Sequence, residues 1–228
     1  MSKLIVANWK QNKNLKQVKT WIDDFEKIIE ESLVENVDVV ICPPFSYLGE
    51  VSNFTKKYDW IFTGSQDVSK HLSGSHTGEV GADQLKDFVD YSIIGHSERS
   101  ETSETVLEKA NLCIKNSITP IICFKDPAVL RLFKDYDAYF LWEDPTTISK
   151  GGEFRPKPIE DIKKGITDIV GNYHIGKGLL YGGSINKDNA SGLGKIENLD
   201  GGVSGSASLD PEHFYKIIKS FESINALR

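Results

Sequence analysis

Hydrophobic residues follow two alternating patterns along this chain. Short apolar runs are typical of strands buried on both faces, and the segments between them carry apolar residues at steps of three and four, which is the spacing of an amphipathic helix. The helical pattern is clearest over residues 14–33, where one face carries Leu15, Val18, Ile22, Phe25, Ile29 and Leu33. Two further stripes predict helices of the same kind: Ile159, Ile162, Ile166 and Ile169, and then Phe214, Ile217, Ile218 and Phe221.

The short apolar runs give eight strand candidates. In chain order they are LIVA, VDVVIC, WIFTG, YSIIG, TPIICF, AYFLW, GLLYG and DGGVSG. The last is the weakest, because glycine lowers strand propensity. Strands that alternate with helices pair in parallel through right-handed crossovers, and eight such units favour a closed α/β barrel over an open sheet. No linker or low-complexity segment divides the chain, so we expect one domain over residues 1–228.

Composition and charge limit the classes of function. With 39% apolar and 26% charged residues, the chain has the usual composition of a folded, soluble protein. The net charge of -6 argues against binding to nucleic acid or to an anionic membrane surface, both of which require a basic patch. The apolar run in the opening MSKLIVANWK is too short for a signal peptide, and no later apolar run reaches membrane-spanning length. We therefore expect a cytoplasmic protein without membrane or nucleic-acid partners.

Three cysteines add no metal or disulfide chemistry to this picture. They are odd in number and lack CxxC spacing, which indicates neither a disulfide framework nor a zinc site and favours a reducing compartment. Cys113 shares the predicted helical face of Val106, Ala110 and Ile114, so we interpret it as a small core residue.

Candidate catalytic residues stand where predicted strands end. In a barrel of parallel strands the active site is built from the loops at the carboxyl ends of the strands. Lys10 follows the first strand, His96 the fourth and Glu143 the sixth. Each has an ordinary alternative when taken alone: a solvated surface lysine, a structural histidine, and a strand that ends in solvent. Their shared edge of the barrel is what makes them candidates together.

Small residues follow the last two strands, in YGGS and SGSAS. Such residues let backbone N–H groups approach an anion, and a helix that starts there adds the positive end of its dipole. The loops after strands seven and eight are a common phosphate site in barrels. The alternative is that the glycines only form tight turns, which explains one loop more easily than both. The pair of loops favours a phosphorylated ligand.

Six segments together resemble the triosephosphate isomerase family, in order and over nearly the whole chain: ANWK, GSQDVS, TGEVGADQLKD, IIGHSERS, YGGSINKDNA and LDGGVSGSASLDPE. The resemblance implies a single (β/α)8 TIM barrel, in agreement with the strand count. Only 19 residues separate Cys123 from Glu143, so we expect a brief fifth helix. In this compactness the chain resembles the archaeal-type members.

The resemblance also implies an activity and its residues. It identifies Glu143 as the base, His96 as the electrophile, and Asn8 and Lys10 as binders of a substrate oxygen, with Glu98 as a supporting partner near Lys10. The reaction would interconvert dihydroxyacetone phosphate and D-glyceraldehyde 3-phosphate through an enediolate. The pairing of a glutamate base with a neutral histidine is known for this family. No metal and no other cofactor is implied.

By the same resemblance, the substrate phosphate group is bound by Ser149, Gly151, Ser184, Gly205 and Ser206. Tyr181 is expected to support the loop over the phosphate together with Ser184. Three positions depart from the family pattern: Asp144 stands for a proline after the base, and Ser149 and Ser206 each stand for a glycine. A serine can donate the same backbone N–H where its φ and ψ are accessible to a residue with a Cβ.

A homo-oligomer is the expected assembly. SKHLSGSHTGEV, after the third strand, is a long segment with few apolar anchors, and such loops in compact domains are usually functional or disordered. In the family the equivalent loop enters a neighbouring subunit, where the residue matching Thr77 approaches the partner's Lys10 and Asn8 across a two-fold interface. Glu79 and Arg99 match charges that the family places at this interface. A flexible surface loop is the alternative, and the sequence does not decide between a dimer and a tetramer.

Two other functions compete with a triosephosphate isomerase. One is an isomerase of another small sugar phosphate, because a phosphate site alone does not select the carbon chain. The other is a catalytically weakened barrel that acts as a binding protein. The presence of Lys10, His96 and Glu143 together argues against the binding protein. The expected partner is a small phosphorylated triose as substrate.

Overall fold

The computed structural model describes residues 2–31, 33–144 and 156–222, which contain eight parallel strands closed into a barrel. The strands are β1 Lys3–Asn8, β2 Val37–Cys42, β3 Ile61–Ser65, β4 Tyr91–Ile94, β5 Thr119–Phe124, β6 Tyr139–Trp142, β7 Gly178–Tyr181 and β8 Gly201–Ser204. Each strand pairs with the next, and β1 pairs with β8 to close the sheet. The predicted (β/α)8 barrel is confirmed, including its weakest strand.

Helices alternate with these strands on the outside. Within the described residues they are α1 Leu15–Glu30, α2 Leu48–Thr55, α3 Ala82–Leu85, α4 Ser103–Lys115, α5 Ile159–Asn172, α6 Ala190–Gly194 and α7 Pro211–Phe221. Short 3-10 helices cover Phe45–Tyr47, Pro127–Phe133 and Ser206–Leu209. The connection from β5 to β6 is the 3-10 helix Pro127–Phe133, so the expected brief fifth helix is observed in that form.

Helix α1 is shorter than its apolar pattern predicts. Asn14 caps its start: the Asn14 side chain accepts a hydrogen bond from the Gln17 N–H at 3.0 Å, and Gln17 Oε1 accepts one from the Asn14 N–H at 2.9 Å. The helix ends at Glu30, so the predicted extension to Leu33 is wrong. Leu33 is 73% exposed, because the chain has left the helix before Leu33 could join the buried face.

The apolar side chains form two layers, one inside the barrel and one between the barrel and the helices. In β1, Leu4 and Val6 lie in the inner layer, whereas Ile5 and Ala7 lie in the outer one. This alternation follows from the two-residue period of a strand. Because both faces are covered, the strands appear in the sequence as continuous apolar runs.

Helix α4 carries the cysteine that we predicted to be core. Val106, Ala110 and Cys113 are buried, and burial raises the pKa of the Cys113 thiol to about 12. Ile114, in contrast, is 45% exposed, so its predicted place on the same face is wrong. The next residue along a helix is turned by roughly 100°, which takes Ile114 away from the sheet.

The glycine-rich strand β8 closes the barrel against β1. Gly201 has φ +153°, and a Cβ there would overlap the Leu4 carbonyl oxygen. Only a residue without a side chain can approach β1 this closely. The glycines that weaken the strand signal in the sequence are therefore what the closure requires.

Helix α5 approaches β6 through a glycine as well. The Trp142 ring lies directly over Gly165, and a Cβ on Gly165 would overlap the ring. Gly171, in the same helix, is exposed and has no neighbouring atom within 4 Å of a built Cβ.

We predict opposite effects for alanine at these two glycines. Gly165→Ala should lower the free energy of unfolding by about 1–3 kcal/mol, because the added methyl group overpacks the Trp142 contact. Gly171→Ala should raise it by up to about 1 kcal/mol through helix propensity alone. Urea unfolding of both variants measures the difference, and stabilisation by Gly165→Ala would contradict the close packing.

Candidate active site

A polar cleft of about 370 Å³ lies at the carboxyl ends of the strands. It brings together eight of the residues that the sequence predicts: Asn8, Lys10, His96, Glu98, Glu143, Ser184, Gly205 and Ser206. They come from five different strand exits and are assembled only by closure of the barrel.

Lys10 is held in an unusual backbone conformation. Its φ of +50° is left-handed, which is uncommon for a residue with a Cβ. The Lys10 N–H donates to Asn8 Oδ1 at 3.1 Å, and the Lys10 carbonyl accepts from Gln66 Nε2 at 3.0 Å. Gln66 also donates to the Cys42 carbonyl at 2.9 Å, so the next strand exit fixes its position. These contacts maintain the strained residue and direct its side chain along the cleft.

The Lys10 ammonium group makes an ion pair with Glu98. Lys10 Nζ lies 2.7 Å from Glu98 Oε1, and both side chains remain partly open to solvent. A substrate oxygen can therefore approach this cation without first displacing a buried group. The arrangement agrees with the supporting position that the resemblance implies for Glu98.

His96 has a defined tautomer when it is neutral. Its Nδ1 accepts a hydrogen bond from the Glu98 N–H at 3.2 Å, so the proton is on Nε2. Burial lowers the pKa of His96 below its usual value; the charge of Glu143 acts in the opposite direction, and that of Lys10 adds to the lowering. The ring is thus neutral near pH 7, with its N–H facing the cleft, where Nε2 lies 3.5 Å from Glu143 Oε1.

Glu143 is a buried carboxylate directly after the end of β6. It is 3% exposed, and its N–H donates to the Phe124 carbonyl at 2.8 Å, continuing the ladder between β5 and β6. Ser97 donates twice to its side chain, from the backbone N–H to Oε2 at 2.9 Å and from Oγ to Oε1 at 2.7 Å. Ser97 lies inside the GHSER motif, but its contacts with Glu143 are not evident from the sequence.

A buried ion network anchors the segment after β4 that carries His96. Lys109 is 3% exposed and lies 2.6 Å from Asp67, and it also pairs with Glu101. Arg99 Nη2 lies 2.9 Å from Asp67 Oδ2, so Arg99 also joins this network. The members of this network come from three separate segments, so the sequence alone does not reveal it.

Two side-chain donors hold the turn after β8. Lys13 Nζ donates to the Leu209 carbonyl at 2.7 Å, and Trp21 Nε1 donates to the Ser208 carbonyl at 3.1 Å. Gly205 lies directly before this turn, and a Cβ there would come within 3.8 Å of Lys10 Cε. The predicted phosphate turn and the predicted catalytic cation are therefore neighbours.

Of the remaining predicted residues, two stand apart from this assembly and two fall outside the part of the chain that the structure describes. Tyr181 is buried in the outer core layer, where its ring meets that of Trp142 at a centroid distance of 5.8 Å. Thr77 is exposed in the segment between β3 and α3. Ser149 and Gly151 lie outside the described residues.

The described residues contain neither a metal-binding cluster nor a membrane-spanning helix. No group of three or more His, Cys, Asp or Glu side chains in this part of the chain is arranged to hold a metal ion. Among the helices of residues 2–31, 33–144 and 156–222, none is both long and apolar enough to cross a membrane.

Comparison with known proteins gives one consistent result. The family model described as triosephosphate isomerase matches residues 3–221. A triosephosphate isomerase of Polynucleobacter asymbioticus is 31% identical, over 95% of this chain and 98% of its own length. Those of Idiomarina loihiensis and Aquifex aeolicus are 32% and 31% identical, over 95% and 97% of this chain and 97% and 100% of their own lengths. The chain therefore belongs to the triosephosphate isomerase family.

Proposed function

We propose that this protein interconverts dihydroxyacetone phosphate and D-glyceraldehyde 3-phosphate without a cofactor. The observation that carries the proposal is the meeting of a buried carboxylate, a neutral imidazole and a cation in one cleft. His96 Nε2 lies 3.5 Å from Glu143 Oε1, and Lys10 lines the same space. A base, a proton donor and a fixed positive charge are the groups that proton transfer next to a carbonyl requires.

The proton transfers follow from this geometry. Glu143 removes a proton from the carbon next to the substrate carbonyl, while the His96 Nε2–H donates to the carbonyl oxygen. The electrons left on carbon move into the enediolate, whose negative oxygen faces the Lys10 ammonium group. His96 exchanges a proton with either oxygen, and Glu143 returns its proton to the neighbouring carbon. One proton has then moved between carbons, and the base is regenerated.

Ser97 holds the base before substrate binds. Its two hydrogen bonds occupy both oxygens of Glu143. A carboxylate that takes a proton from carbon must direct a lone pair at that proton, so at least one of these bonds has to be exchanged for the substrate. In this proposal Ser97 keeps the carboxylate ordered in the empty site.

Substrate phosphate is assigned to the side of the cleft that the exits of β7 and β8 form. Ser184, Gly205 and Ser206 line it there, beside the turn that Lys13 and Trp21 hold. We also assign Ser149 and Gly151 to phosphate and Tyr181 to loop support, on family resemblance alone. The expected place of action is the cytoplasm, as for an enzyme of glycolysis and gluconeogenesis.

Turnover of purified protein tests the proposal. We expect interconversion of the two triose phosphates in EDTA with no added cofactor, since side chains and backbone fill every role. A metal requirement would contradict the mechanism. Faster turnover of a longer sugar phosphate would favour the related isomerase, and binding without turnover would favour a binding protein.

Replacing Glu143 with Gln should lower the turnover number by about 10²- to 10⁴-fold, because the amide keeps the shape but cannot accept the proton. Glu108→Gln, on the exposed side of α4, is the matched control and should match the wild type. Steady-state rates in both directions measure the effect. A rate close to wild type for Glu143→Gln would assign the base to another residue.

Histidine NMR tests the state of His96. In ¹⁵N-labelled protein we expect a neutral ring protonated at Nε2 at pH 7. Because burial lowers its pKa, this form should persist as the pH falls through 6.5. His213 is an internal contrast: its Nε2 accepts from the Lys187 N–H at 3.0 Å, so its neutral form is protonated at Nδ1. An imidazolium at His96 near pH 7 would contradict its assigned role.

We further propose a homo-oligomer in which Thr77 completes the cleft of a second subunit. The Ser69 N–H donates to the Val80 carbonyl at 2.8 Å and closes the base of the segment, while residues 72–79 are exposed. An exposed segment with a closed base, in which the apolar side chain of Leu72 is 57% exposed, supports insertion into another copy of the chain.

Light scattering at micromolar concentration should therefore give at least a dimer. Turnover per chain should fall when the protein is diluted below its dissociation constant, because each cleft would lose the partner's Thr77. A fully active monomer would contradict the role of Thr77 and leave the chemistry of Glu143 intact.

A further inference from the structure

Lys13 combines two features that are each unusual for a lysine. Its φ of +70° is left-handed, a conformation that strains a residue with a Cβ and that glycine adopts freely. Its ammonium group is partly withdrawn from water and lies 5.3 Å from the centre of the buried Trp9 ring. Burial lowers the pKa of Lys13, and the charge of Asp210 acts in the opposite direction. A strained residue that brings a cation into such surroundings indicates a role for that cation.

The ammonium group of Lys13 binds the turn after β8. Lys13 Nζ donates to the Leu209 carbonyl at 2.7 Å, and Trp21 Nε1 donates to the carbonyl of the preceding residue, Ser208, at 3.1 Å. Trp21 lies in the second turn of α1, and Lys13 stands directly before Asn14, which caps the start of the same helix. Helix α1 therefore fixes both donors, and the end of the turn is held at two successive carbonyl groups.

The two donors approach the turn from the outer core layer. Trp21 belongs to that layer, and so does Trp9, over whose ring the Lys13 ammonium group lies. The residues of the turn that line the cleft are Ser206, Ala207 and Leu209. The carbonyl groups at the end of the turn are therefore bound on the side of α1, and the other side of the turn is left to the cleft.

The direction of these carbonyl groups affects how the cleft receives an anion. A carbonyl oxygen carries partial negative charge and repels a phosphate group, whereas backbone N–H groups attract one. A carbonyl that loses its donor needs another partner, and the open space beside this turn is the cleft. Because the peptide group is planar, a carbonyl that turns toward the cleft also turns its own N–H away. Loss of the Lys13 contact would therefore weaken the attraction of the turn for phosphate.

We propose that Lys13 is a positioning residue for the phosphate group of the substrate. Its ammonium group holds the Leu209 carbonyl away from the cleft and so keeps the turn after β8 in the form that binds an anion. Lys13 acts through this turn and does not touch the substrate. The inference rests on the proposed function, in which Gly205 and Ser206 bind phosphate.

Lys3 provides a matched control at the opposite end of the same two strands. Lys3 Nζ donates to the Leu199 carbonyl, and this bond is partly buried, as the bond from Lys13 is. In both bonds the lysine flanks or begins β1 and the carbonyl flanks β8. Lys3 is the first residue of β1, so its bond lies at the end of the barrel away from the cleft. Lys3→Met therefore removes a hydrogen bond of the same kind and leaves the turn after β8 untouched.

We expect Lys13→Met to raise KM for both triose phosphates by about tenfold, which corresponds to about 1.4 kcal/mol. The turnover number kcat should stay within about threefold of the wild type, because the phosphate contact is lost equally from the bound substrate and from the transition state. Methionine keeps most of the apolar stem of the lysine and removes only the charged donor. Steady-state rates in both directions measure KM and kcat. An unchanged KM in folded Lys13→Met, or an equal rise in Lys3→Met, would overturn the proposal.

Lys13→Gly is the second variant, which tests the proposal if Lys13→Met does not fold. Glycine adopts the left-handed backbone of this position without strain, so this variant removes the ammonium group and relieves the backbone together. We expect KM to rise as in Lys13→Met. A wild-type KM in Lys13→Gly would overturn the role of the ammonium group.

Titration with inorganic phosphate separates this inference from the proposed function. In ¹H–¹⁵N NMR spectra we expect phosphate to shift the N–H signals of Gly205 and Ser206. The affinity read from these shifts should fall about tenfold in Lys13→Met and stay unchanged in Lys3→Met. Absence of the shifts in the wild type, or equal affinity in Lys13→Met, would overturn the role of Lys13, whatever the enzyme turns over. A wild type that shows this pattern but converts neither triose phosphate would refute the proposed function alone.

Discussion

Closure of the barrel between β8 and β1 is the constraint on which the rest of this structure depends. The two strands pair from Leu4 with Gly201 to Ala7 with Ser204, and the Leu4 N–H donates to the Asp200 carbonyl at 2.8 Å. Lys10 and Gly205 continue from the two sides of this junction. Residues from the two ends of the chain thereby become neighbours in the cleft, which an open sheet of the same strands could not achieve.

Most of the fold could be predicted from local pattern. Apolar runs marked the strands because both faces of a barrel strand are covered, and apolar stripes marked the long helices. Predictions were wrong at helix boundaries, where capping rather than hydrophobicity decides: Leu33 continues the stripe but lies beyond the end of α1. The glycines of β8 were ambiguous in the sequence. The contact that requires a glycine at Gly201 is with the carbonyl of Leu4, which is far away in the chain.

The candidate site could also be predicted only in part from the sequence. Residues at strand exits could be found from the sequence, since a strand end and a family motif are both local features. The supporting residues could not, because each acts through a partner far away in the chain: Gln66 on Lys10, Ser97 on Glu143, and Lys109 on Asp67. Asp144 departs from the family pattern, but its contact with Lys157, 13 residues further along the chain, is not evident from the sequence.

The left-handed backbone of Lys10 has a consequence for engineering. A glycine would adopt φ +50° without strain, so at this position the residue that suits the backbone best is one that carries no ammonium group. Selection for heat resistance alone would therefore act against the lysine, whereas selection for the proposed activity would act to keep it. Any library designed to make this barrel more robust should hold residue 10 constant, because under the proposed mechanism stability and chemistry make opposite demands on this one side chain.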